Sequence, residues 1–149
     1  MGDRWVLMRG DRAWPQTLDD LEDPPERIFG IGSRDVLRES CISIIGARRA
    51  SPYGLSVARL AGRVAAECGI VVVTGGAMGC DVTAARAALD AGGKTIVVAG
   101  TGADVAYPRS SEDVFARATA QGAVVSIEDW GQTPRRYAFP KRNRIIAAL

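Results

Sequence analysis

Two short stretches carry the residue types that can cradle an anion. Gly46-Ala47-Arg48-Arg49-Ala50-Ser51 and Gly75-Gly76-Ala77-Met78-Gly79-Cys80-Asp81 each lead from an apolar run into a helical one through small residues. Such turns leave backbone N–H groups unpaired at a helix N-terminus, where they favour negative charge. Arg48 adds a planar donor fork suited to phosphate. Neither GxGxxG nor GxxxxGK[ST] occurs, so the dinucleotide fingerprint and the P-loop are both unmet. Each glycine alone is better explained by a tight turn; together with Arg48 the set points to an anion.

The last nineteen residues differ in kind. Arg135, Arg136, Lys141, Arg142 and Arg144 are interleaved with Tyr137 and Phe139, and residues 131–149 contain no acid. Aromatic faces stack on bases while cations follow phosphates, the combination used for single-stranded nucleic acid. A solvated helix end with Phe139 in the core is the plainer alternative. There is no histidine, which excludes a Ser-His-Asp or Cys-His engine and any histidine-bearing zinc site. Asp81 is a possible acid or a helix cap, with no obvious carboxylate partner, and no catalytic residue, metal ligand or cofactor is expected.

Four apolar runs near 42–46, 70–74, 95–99 and 123–127 alternate with helical stretches. Val57, Ala61, Val64, Ala65 and Cys68 recur at helical spacing after Ser51-Pro52. An alanine-rich segment over 81–91 follows, then a helix after Ser110 or Ser111, and a last one over 143–149. Continuous apolar strands between helices indicate a parallel sheet covered on both faces, a doubly wound α/β fold. Its ligand is expected beyond the carboxyl ends of the strands, where residues 46–51, 75–81, 100–108 and 128–142 lie. Residues 1–40 read as a small N-terminal cap with a short helix over 17–21, and 41–149 as the main domain.

A length of 149 residues suits one domain, and 47% hydrophobic content supplies a sizeable core. The net charge of +2 conceals a basic C-terminal block, which indicates one anionic contact surface, not general nucleic-acid coating. Cys41, Cys68 and Cys80 form no disulfide framework, and neither a secretory leader nor a membrane span is legible. A cytoplasmic protein without membrane partners is expected.

In their order, these motifs resemble the DNA-processing protein A (Smf) family. That family's YP-L-DPP opening is filled by Trp14-Pro15, Leu18 and Asp23-Pro24-Pro25, with Ile28-Phe29 through Gly32 behind it. Its apolar strand, G-[ST]-R and YG are matched by Ile44-Ile45-Gly46-Ala47-Arg48 and Tyr53-Gly54. Its glycine segment is matched by Thr74 to Asp81 with Ala84-Ala85 and Ala88-Leu89, and a later YP by Tyr107-Pro108. Its FPxRNRIIAGLS hallmark is similar to Phe139-Pro140-Lys141-Arg142-Asn143-Arg144-Ile145-Ile146-Ala147-Ala148-Leu149. The family's histidine and first serine are Ala85 and Thr74 here.

The resemblance implies a Rossmann-like domain that binds single-stranded DNA in a basic groove, without catalysis, and takes part in recombination mediation during natural transformation. Arg48 would hold phosphate, and the backbone of Gly75, Gly76 and Gly79 would line the pocket. Lys141, Arg142 and Arg144 would contact the strand, with Ser51 and Asn143 in the same binding set and Phe139 as a base platform. Family members continue past the hallmark, so the sheet is expected to be incomplete here. RecA contact and homodimerisation are implied for the family, on surfaces expected largely outside these residues. A different class, a nucleotide sensor or phosphoribohydrolase-like enzyme, is also suggested by Thr74-Gly75-Gly76 and Asp81, although its PGGxGTxxE signature is absent.

Overall fold

The computed structural model describes residues 2–149. In chain order its main elements are β1 (Arg4–Met8), β2 (Arg27–Gly32), β3 (Cys41–Ser43), α1 (Pro52–Glu67), β4 (Val71–Thr74), α2 (Cys80–Asp90), β5 (Thr95–Val98), α3 (Glu112–Gln121), β6 (Gly122–Ser126) and α4 (Ala138–Ala148). Short 3₁₀ turns occupy Gln16–Asp20, Asp35–Arg38 and Arg109–Ser111. The strands form one six-stranded sheet in the order β1-β2-β6-β5-β4-β3. β3, β4, β5 and β6 pair parallel, as the four apolar runs anticipate, whereas β2 joins β6 antiparallel and β1 joins β2 antiparallel.

Alternation along the strands divides the core between two layers. On one face, Phe29, Ile31, Val97 and Val124 pack with Val82 and Ala85 of α2 and Val114, Phe115 and Ala118 of α3. On the other, Val71, Val73, Ile96, Val98 and Val125 meet Ile145 and Ile146 of α4 and Trp14, Leu18, Val36 and Leu37 of the N-terminal segment. The second face is therefore covered by one helix and irregular chain. β4, β5 and β6 are buried along their whole length, which is why their sequences are near-continuous apolar runs.

Three local expectations change. The first forty residues are more than a cap, because β1 and β2 extend the sheet. Gly30 of β2 sits mid-strand opposite Trp5. The Trp5 indole lies where a side chain on residue 30 would stand, and its Nε1 donates to the Gly32 carbonyl at 2.8 Å. In α1 the buried positions are Ala58, Gly62 and Ala65, while Val57 and Val64 are exposed, since small residues allow the close approach of α2. α4 begins at Ala138, five residues before the sequence suggests. Pro140 is tolerated there because first-turn N–H groups have no helical acceptor anyway.

Candidate nucleic-acid interface

The carboxyl ends of β3, β4 and β5 and the start of α4 meet at a cleft of about 60 Å³, lined by Arg48, Gly75, Ala77, Met78, Tyr107, Pro108, Phe139 and Arg142. Residues from all four expected loops thus converge on one place.

The floor is a closed polar lattice. Asp81, in the first turn of α2, is buried and accepts from the Gly46 N–H at 3.2 Å and the Gly75 N–H at 3.0 Å. One carboxylate therefore ties the turn after β3 to the turn after β4. It acts neither as a side-chain cap of α2 nor as a free acid. Arg142 is only 5% exposed, and its Nη1 donates to the carbonyls of Gly75 and Val98, each at 2.7 Å. Its Nε donates to Asn143 Oδ1 at 3.2 Å. Burial lowers the Arg142 pKa from its ordinary value; Asp81 pulls it back up and Arg48 presses it down. Arginine stays charged nonetheless, so a positive charge is fixed beneath the cleft.

Two glycines make this approach possible. A side chain on residue 75 would place its Cβ 2.8 Å from the Arg142 guanidinium. Gly79 has φ +86°, and a Cβ there would meet the Ala47 carbonyl oxygen at 2.2 Å. The same contact lets the Cys80 N–H donate to Ala47 at 3.2 Å. With the Gly75 N–H committed to Asp81, the donors left for an anion in this turn are those of residues 76–79. They bond to no acceptor among the described residues.

The rim is open. Arg48 is exposed and forms no ion pair with any described residue; its guanidinium lies 6.0 Å from the Phe139 ring centroid. Arg142 approaches the same ring at 5.7 Å, and Tyr107 packs against it at 5.7 Å between centroids. Phe139 is half-buried, with its edge against Gly100.

The remaining expected residues scatter. Ser51 is the N-cap of α1, its hydroxyl accepting from the Gly54 N–H at 3.1 Å. Consecutive residues of a helix fan out by about 100° each, so Lys141, Arg142, Asn143 and Arg144 cannot share one groove. Lys141 and Asn143 are exposed, whereas Arg144 turns to the N-terminal segment and donates to the Asp23 carbonyl at 2.5 Å. Arg142 is thus placed as a buried tie, and Arg144 as a partly exposed tie to the N-terminal segment. Gly76 is buried against Phe115 and Val97. Asp81, Tyr107 and Met78 complete the site beyond the expected set. Tyr107-Pro108 was legible as a motif, and Asp81 as a residue following a glycine turn. Among the described residues no His, Cys, Asp or Glu cluster could hold a metal, and no helix is long and apolar enough to cross a membrane.

A sheet whose four parallel strands run into glycine turns, with a buried guanidinium, an exposed one and two aromatic rings at the strand ends, defines a Rossmann-like domain with a cleft where such folds hold their ligands. Residues 5–149 match the sequence model of the DNA recombination-mediator protein A family, and the chain belongs to that family. It is 37% identical over 140 residues to the DNA processing protein DprA of Streptococcus pneumoniae, covering 93% of this chain and 49% of that relative. It is 34% identical over 148 residues to the protein Smf of Synechocystis, covering 96% of this chain and 37% of that relative. The chain thus spans about half, or less, of the length of these curated relatives.

Solved structures agree. The X-ray structure of the Streptococcus pneumoniae protein superposes with a TM-score of 0.90 at 34% identity, covering 96% of this chain and 50% of that one. The DNA processing protein A of Helicobacter pylori, whose single-stranded DNA binding mode has been described structurally, gives a TM-score of 0.87 at 29% identity. That match covers 99% of this chain and 67% of the other.

Proposed function

We propose that this domain binds single-stranded DNA at the cleft between β3, β4, β5 and α4, and that it does so without chemistry on the strand. The observation that carries this reading is Arg48: an exposed, unpaired guanidinium at the mouth of a cleft whose floor already holds the fixed charge of Arg142. A phosphate there gains a charge-assisted fork from Arg48 and the N–H groups of residues 76–79. Exposed Lys141, with Arg135 and Arg136 on the preceding segment, extends the positive surface away from the cleft. Both oxygens of Asp81 accept backbone N–H bonds, which gives that carboxylate a structural role in holding the floor of the cleft. In the whole family protein we place this step within DNA processing for transformation and recombination, in the cytoplasm, with RecA and a second copy as partners.

Fluorescence anisotropy of labelled oligo-dT, run in parallel with ATP and AMP over a range of salt, tests the proposal. Log affinity for the oligonucleotide is expected to fall linearly with log salt, with a slope of about 0.7 per phosphate contacted. Tight ATP or AMP binding without oligo-dT binding at low salt replaces this reading with a nucleotide sensor.

A further inference from the structure

We infer that Tyr107, with Met78, is the surface on which an unpaired base rests, a role the sequence assigns to Phe139. This rests on the proposed single-strand binding and names the part of the site that would recognise the base.

Phe139 is poorly placed to receive a base. Its ring is hemmed by Gly100, by Tyr107 and by the guanidiniums of Arg48 and Arg142. Tyr107 is the aromatic residue on the same cleft that keeps free surface: it is 44% exposed and tilted 42° against Phe139. Met78 lines the same cleft and is 47% exposed. Tyr137, the other exposed aromatic nearby in sequence, does not line the cleft, and its hydroxyl accepts from Arg135 at 3.1 Å. The cleft is small and partly open, with Tyr107 and Met78 exposed among its lining residues, so a phosphate held by Arg48 leaves its base beside those two side chains. Large apolar side chains left uncovered at that rim, beside a cation, are the complement of a splayed base: an aromatic face for stacking and a soft thioether for adaptable contact. Because every base has a π-face, such a platform tolerates any sequence. It rejects duplex DNA, whose bases are already stacked.

The test compares wild type, Tyr107→Ala and Tyr107→Phe binding to oligo-dT and to an oligonucleotide of the same length carrying abasic tetrahydrofuran residues, with thermal melts as a folding control. Wild type is expected to prefer oligo-dT, and Tyr107→Ala to weaken oligo-dT binding roughly 5- to 150-fold, the range for loss of one stacked base. In Tyr107→Ala the preference over the abasic strand shrinks, while Tyr107→Phe retains it and all three proteins melt alike. Unchanged oligo-dT binding in Tyr107→Ala overturns the inference and leaves single-strand binding standing. Equal loss on both strands, or equal loss in both variants, also overturns it, in favour of packing or the hydroxyl. No oligo-dT binding by wild type at low salt refutes the underlying proposal and this inference with it.

Discussion

The floor and the rim of the cleft are built from similar residues for opposite purposes. Below, the Arg142 guanidinium and the Asp81 carboxylate are buried and committed to backbone groups on three different turns. Above, Arg48 and Lys141 are exposed and form no ion pair with any described residue. The floor fixes where the turns after β3, β4 and β5 stand; the rim offers charge to whatever arrives. Membership of a basic motif therefore does not assign a contact role. Arg142 lies in the same run as Lys141, yet only one of them faces solvent.

The contrast breaks most visibly at Arg142. Arg142→Ala leaves the Gly75 and Val98 carbonyls without their buried donor and removes the cation near Asp81. The expected destabilisation is about 3 kcal/mol or more, read as a lower urea midpoint, with DNA binding lost along with the fold. A midpoint within experimental error of wild type would show that Arg142 belongs to the rim after all. Lys141→Ala should do the reverse. Stability should stay within about 0.5 kcal/mol, while oligo-dT binding weakens modestly and its salt dependence becomes shallower.

The smallest effect is expected outside the cleft, where Arg86 of α2 donates to Asp113 of α3 at 2.7 and 2.8 Å. Both side chains are substantially exposed, so the pair is worth about 0.5 kcal/mol or less after solvent screening. The hydrogen bond from Arg86 lowers the Asp113 pKa below the usual carboxylate value, against a smaller opposing effect of burial. A carboxyl depressed in the folded state contributes stability above its unfolded pKa and loses it as pH falls through the folded value. Asp113→Asn should therefore melt slightly below wild type at neutral pH and converge with it in acid. Its DNA affinity should be unchanged.

Much of the framework was legible before any coordinates. Runs such as residues 70–74 and 95–99 are apolar on both faces, which only a doubly covered parallel strand explains, and the rule that ligands gather at strand carboxyl ends located the cleft. β1 and β2 were not legible, because β1 is largely exposed and β2 carries two glycines, one of them covered by an indole from across the ladder. The site was half legible for a related reason. Residue type placed Arg48, Gly75, Phe139 and Arg142 near one another. It did not say which way each points around α4, and that direction separates an internal tie from a rim contact. Ser51 shows the same limit: a hydroxyl at a helix start serves its own N-cap before any ligand.

The central claim is that Arg48 meets a phosphate of single-stranded DNA at a cleft whose shape Arg48 does not itself maintain. The most direct measurement is the oligo-dT affinity of Arg48→Ala across a salt series, with urea melts alongside. The account predicts an unchanged melt, a loss of about 1–3 kcal/mol in binding and a salt slope shallower by about 0.7. Wild-type affinity and slope in a folded Arg48→Ala protein would contradict it.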